Sequence, residues 1–154
     1  LLYPGARNTA ACGVNNQGGV VGIWWDSADS RPMHTWIRDA GGSYTQFDMP
    51  SALMTCARGV NDLGQVVGLW QDVTGAYRGF VRDATGQTQV VDVPGATYSE
   101  VCGISNTGTI VGYYQTADHK AYGFYATPVP EPATLSLLAL GGMAMLRRRG
   151  RLGQ

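Results

Sequence analysis

The side chains that could do acid–base, nucleophilic or metal chemistry are few and scattered in this sequence. His34 and His119 are the two histidines, and neither stands near a second ligating residue in a metal-binding spacing. Cys12, Cys56 and Cys102 form no Cys-x-x-Cys pair or Cys/His cluster. An oxidising compartment permits one disulfide among three cysteines, but unpaired, small, buried strand residues are the expectation. No Gly-x-Ser-x-Gly elbow is present, and the run from Gly13 to Gly18 lacks the Lys-Ser/Thr of a phosphate loop. Asp39 and Asp83 could serve as general bases, yet they recur at one repeat position, which argues for turn formation. Asp26, Asp29, Asp72 and Asp118 have no calcium-loop spacing. Trp24, Trp25, Trp36, Trp70, Tyr113 and Tyr114 could stack on sugars, but core packing is expected of them. No metal, cofactor or catalytic residue is assigned, and the chain is expected not to be an enzyme.

The more distinctive residues lie at the C-terminus, in a stretch that suits a peptidase's binding cleft. Val129, Pro130, Glu131 and Pro132 form a stretch whose prolines fix φ and remove donors, so it stays extended, as a peptidase substrate must. An apolar run follows over residues 135–146, with Leu135, Leu137, Leu138, Leu140, Met143 and Leu146 expected on a membrane helix. Residues 133–146 make 14 positions, about 21 Å of helix against a hydrocarbon layer of about 30 Å. Arg side chains reaching to the headgroups ease that mismatch. Arg147, Arg148, Arg149 and Arg151 form a positive cluster that places the C-terminus in the cytoplasm and the rest outside the inner membrane. By length alone the run could instead be a buried C-terminal helix.

The elements in front of this tail are set by a repeat. Gly13-Val-Asn-Asn-Gln-Gly18-Gly-Val-Val-Gly22, Gly59-Val-Asn-Asp-Leu-Gly64-Gln-Val-Val-Gly68 and Gly103-Ile-Ser-Asn-Thr-Gly108-Thr-Ile-Val-Gly112 align without gaps, 46 and 44 residues apart. Pro4, Pro50 and Pro94 each precede the block by nine residues. Gly18, Gly64 and Gly108 are the expected positive-φ positions of tight hairpins. Each unit reads as four short strands: one ending at the first Gly of the block, one after the turn, an aromatic third and a fourth. The predicted architecture is all-β, with tandem four-stranded repeats resembling propeller blades and a single C-terminal hydrophobic helix. The units span approximately 1–48, 49–92 and 93–127, followed by a Pro-rich linker at 128–134 and the tail at 135–154. Three blades fall short of the usual four to eight. Hence an incomplete propeller, an open stack or assembly with another chain is expected, with a solenoid or sandwich as the alternative.

Charge excludes one class. Four of the 11 basic residues lie in the last eight positions, leaving 7 against 11 acidic groups in the remainder. That balance offers no attraction to nucleic acid. The chain opens inside a repeat at Leu1-Leu2-Tyr3-Pro4, without an initiator Met or signal peptide, and its N-terminus is expected to be truncated or processed.

Over residues 1–127 the units resemble the extracellular repeats of the HAF family. The three Gly blocks and Asp92-Val-Pro-Gly-Ala96 match that pattern. The family's His-x-aromatic element survives as His34-Thr35-Trp36 and departs to Arg78-Gly79-Phe80 and Tyr122-Gly123-Phe124. This resemblance implies a secreted repeat protein with no known chemistry. The tail is similar to the PEP-CTERM sorting signals of Gram-negative bacteria. That similarity implies recognition by a membrane-embedded exosortase, cleavage near Pro130-Glu131-Pro132, a transient inner-membrane anchor, and display or release at the surface of exopolysaccharide- and biofilm-forming cells. A non-catalytic surface or matrix component is the resulting expectation. The alternatives are a glycan-binding module and a piece of a propeller-type glycan hydrolase or lyase.

Overall fold

The computed structural model describes residues 1–26 and 32–128. They form eleven strands and no helix. β1 (Asn8–Val14), β2 (Val20–Trp25), β3 (His34–Arg38) and β4 (Tyr44–Phe47) pair in sequence order as one antiparallel sheet. β5 (Met54–Val60), β6 (Val66–Gln71), β7 (Tyr77–Arg82) and β8 (Thr88–Val91) repeat that meander. β9 (Ala96–Ile104), β10 (Ile110–Thr116) and β11 (Ala121–Ala126) make a third, three-stranded one. A parallel bridge from Tyr77 to Tyr98 joins the second and third groups into a single seven-stranded sheet.

Local chemistry explains each hairpin. Asn15 Oδ1 accepts the N–H groups of Gln17 and Gly19 at 3.1 and 2.7 Å. Asn61 does the same for Leu63 and Gln65 at 3.1 and 2.9 Å. This side-chain mimicry of a backbone turn leaves the position before closure at positive φ: +81° at Gly18, +75° at Gly64 and +81° at Gly108. The first strand runs one residue past the block's first Gly, to Val14, Val60 and Ile104. A bulge between Ala11 and Gly13, and another between Ala57 and Gly59, absorbs the extra residue.

The three groups stack face to face, and the core lies between them. Val21 packs with Ala57 and Val66 of the next group, together with Phe80 and Met49. Val67 packs with Val101 and Ile110. A second apolar cluster, Ile23, Met54, Cys56 and Leu69, completes the first interface. Backbones approach closely at the glycines: a Cβ on Gly13 would lie 3.0 Å from the Gly59 Cα, and one on Gly59 would lie 3.5 Å from the Gly103 Cα.

The stack does not close. Among the described residues there is neither a barrel nor a complete propeller; the array ends in two unmatched faces. Three groups cannot turn far enough about a common axis for the last to meet the first. The single-helix expectation over residues 135–146, like the linker from Val129 onward, lies outside the described residues.

Candidate functional site

The sequence-predicted site has one described anchor. Pro128, the first residue of the linker, rests on the turn of the third group. A Cβ added to Gly108 would meet Pro128 Cγ at 2.8 Å. Gly108 therefore serves twice, as the positive-φ corner of its hairpin and as the floor over which the chain leaves the β-array. Spacing alone could not reveal this contact, because it depends on where β11 ends. Val129, Pro130, Glu131, Pro132, the six apolar tail positions and Arg147, Arg148, Arg149 and Arg151 lie outside the described residues.

Within the array, the residues considered for chemistry are occupied by structure. His34 Nδ1 sits 2.9 Å from Asp48 Oδ2, a His–Asp pair of the kind that can orient a general base. Asp48 also accepts from Gln46 Nε2 at 2.8 Å and from the Thr35 N–H at 3.3 Å. The equivalent pair in the second group is Arg78 Nη1 to Asp92 Oδ2 at 2.5 Å. A position that holds His–Asp in one copy and Arg–Asp in the next clamps the third strand to the chain that follows the fourth. His119, at φ +60°, shapes the turn between β10 and β11. Asp39 and Asp83 cap turns: Asp39 Oδ1 accepts the Ser43 N–H, and Asp83 Oδ1 accepts those of Thr85 and Gln87. Asp26, Asp72 and Asp118 gather into no metal-ligating cluster among the described residues.

The aromatic residues are likewise engaged. Trp36 is fully buried and donates its indole N–H to the Ile23 carbonyl at 3.0 Å. Trp24 stacks against both Tyr3 and His34, with centroids at 5.5 and 4.5 Å. Tyr113 stacks on Tyr98, and Tyr114 lies against Tyr122.

One buried network had no signal in the sequence. Glu100 is 5% exposed and accepts from Arg58 Nε at 2.5 Å and from the Tyr98 hydroxyl at 2.6 Å. Tyr113 extends the chain of hydroxyls to Tyr98 at 3.3 Å. Burial opposes the Arg58 charge, but the Glu100 carboxylate outweighs it and raises the guanidinium's pKa. Burial, then the hydrogen bond to Glu100, pushes the Tyr98 phenol well up, so it stays a neutral donor. Burial also raises the pKa of the Cys12 thiol, despite the nearby Arg58. Arg58 and Glu100 lie 42 residues apart on β5 and β9, so only the stacking of groups two and three brings them together.

Cys56 is buried as expected, and Cys12 is half-buried. Cys102 departs from expectation: it is exposed, because it belongs to the last group, whose outer face has no neighbour among the described residues. None of the three cysteines forms a disulfide.

Residues 128–150 match the PEP-CTERM protein-sorting motif family. The chain carries an exosortase sorting signal. That signal begins at the proline held on Gly108 and implies export, a C-terminal membrane-anchoring step and processing by exosortase. No curated protein and no solved structure matches the chain. Among the described residues no helix is long and apolar enough to cross a membrane.

Proposed function

We propose that this protein is a non-catalytic surface or matrix component, a stacked β-array delivered to the outside of a Gram-negative cell and released from its membrane anchor by exosortase. The observation that carries the reading is the sorting motif at residues 128–150, starting two residues after β11 ends at Ala126. The array is cargo and the tail is its handle. Chemistry at the tail is the exosortase's, with Val129, Pro130, Glu131 and Pro132 as substrate. The polar side chains of the array support this role, since they serve as turn caps, strand clamps and interface pairs.

The test is fractionation of the full chain against a variant lacking residues 135–154, in a host with exosortase. The full chain is expected first in the membrane and then, shortened, outside the cell; the deletion is expected never to enter the membrane fraction. Equal fractionation of the two would sink the proposal. Binding to an exopolysaccharide array that is lost in Trp24→Ala would favour the glycan-binding alternative instead.

A further inference from the structure

The two outer faces of the array, among the described residues, match the two halves of an interface that the molecule builds twice inside itself. On the leading face of each group a Val from the second strand enters the next group. Val21 and Val67 are both 0% exposed there, whereas their counterpart Val111 on β10 is 48% exposed. On the trailing face, Ala57 and Val66 receive Val21, and Val101 and Ile110 receive Val67. The equivalent residues of the first group are Ala11, which is exposed, and Val20, which is half-buried. Val14 beside them is 69% exposed, while its counterparts Val60 and Ile104 pack into the two interfaces.

Polar groups follow the same rule. The Asn16 N–H donates to Asp62 Oδ1 at 2.8 Å, and the Asp62 N–H donates to Asn106 Oδ1 at 2.9 Å. One step further, the Asn106 N–H is the counterpart donor, and Asn16 Oδ1 is the counterpart acceptor at the other outer face. Gly13 and Gly59 lie against the backbone of the next group, whereas a Cβ on their counterpart Gly103 would meet only the Val111 side chain, leaving that approach open.

We infer that the leading face of the third group docks on the trailing face of the first group of a second copy of this chain. The contact is head-to-tail: the two surfaces differ, so each added copy presents a fresh free end. Such an interface generates a ring if the rotation closes and a filament if it does not. Ser105 tempers its strength. Asn15 and Asn61 each donate a side-chain N–H to the next group's carbonyl, at 3.0 and 2.9 Å, and a serine there lacks that amide. The contact between copies is accordingly weaker than the two within the chain.

The experiment is sedimentation velocity of the full chain in detergent over a range of protein concentrations, with Val111→Glu and Ala11→Glu as variants. Both positions are solvent-facing, so circular dichroism and thermal unfolding of the single variants are expected to match the parent. The parent is expected to gain mass with concentration, and each variant alone to stay a monomer. Mixed in equal amounts, the variants are expected to form 1:1 dimers and stop, because each retains the face that the other lacks. A parent that is monomeric throughout would overturn the inference, as when a further unit of the same chain covers the face. So would assembly that survives Val111→Glu, which would place association in the tail, and so would a mixture that stays monomeric. None of these outcomes bears on exosortase processing, which fractionation tests separately.

Discussion

Glycine at neighbouring positions answers to different physics in this protein. Gly18, Gly64 and Gly108 are held at positive φ, where an L side chain is strained; it finds space at Gly18 and Gly64 but meets Pro128 at Gly108. Gly22, Gly68 and Gly112 have no such strain; a Cβ there would lie 2.1, 2.0 and 2.0 Å from the carbonyl oxygens of Ala10, Cys56 and Glu100. Gly64→Ala is therefore expected to cost about 1 kcal/mol, the price of left-handed backbone. Gly68→Ala must push two strands apart and is expected to cost about 3 kcal/mol or more. Denaturant melts of the two variants check this order. Gly108→Ala should exceed Gly64→Ala, because Pro128 must also move. Glu100→Gln keeps the Tyr98 acceptor but takes the countercharge from Arg58. Since Arg58 is 39% exposed and partly solvated, a loss of about 2 kcal/mol is expected, read in the same melts.

Among the elements, the hairpin turns are the clearest sensors of acid. Hydrogen bonds from the Asn16 and Asn106 side chains hold the Asp62 carboxyl below its ordinary value. Those from Thr74 do the same for Asp72, against a burial effect, and those from Thr85 for Asp83. A depressed folded-state pKa contributes stability that is fully present above the unfolded value near 4. It is lost as pH falls below that value and through the folded one. The melting temperature is thus expected to be flat with respect to these groups near neutrality and to fall below about pH 4. Asp62→Asn should shallow that fall; an unchanged acid limb in the variant would show that the turn stack does not sense the charge. The same stack of Asn15, Asn61 and Ser105 explains why β1, β5 and β9 keep register along the array.

For the molecule as a whole, stability is carried by contacts between neighbours in the stack. Val67 sits at 0% exposure between the second and third groups, and Val67→Ala is expected to cost about 2–3 kcal/mol. The same truncation at Val111, 48% exposed, is expected to cost less than about 1 kcal/mol. Thermal unfolding of the pair distinguishes a stacked array from independent hairpins, in which both changes would be mild. The sorting motif begins two residues after the last strand, outside the core that Val67 fills. Processing is therefore expected to persist in Val67→Ala and to be lost on deletion of residues 135–154.

The sequence by itself determined the local structure and the destination. Asn–Gly turns, branched pairs and aromatic strands are short-range preferences, so the strands and the three positive-φ glycines were legible from spacing. A proline-flanked glutamate, an apolar run and an arginine cluster stand in one contiguous stretch of sequence, so the sorting motif was legible from residue order alone. Only the tertiary structure decided what pairs across groups: the Arg58–Glu100 ion pair, the seat of Pro128 on Gly108, the exposure of Cys102 and the two faces left unmatched among the described residues. These depend on how one sheet rotates against the next, and that rotation is the summed result of many weak contacts between residues more than 40 positions apart.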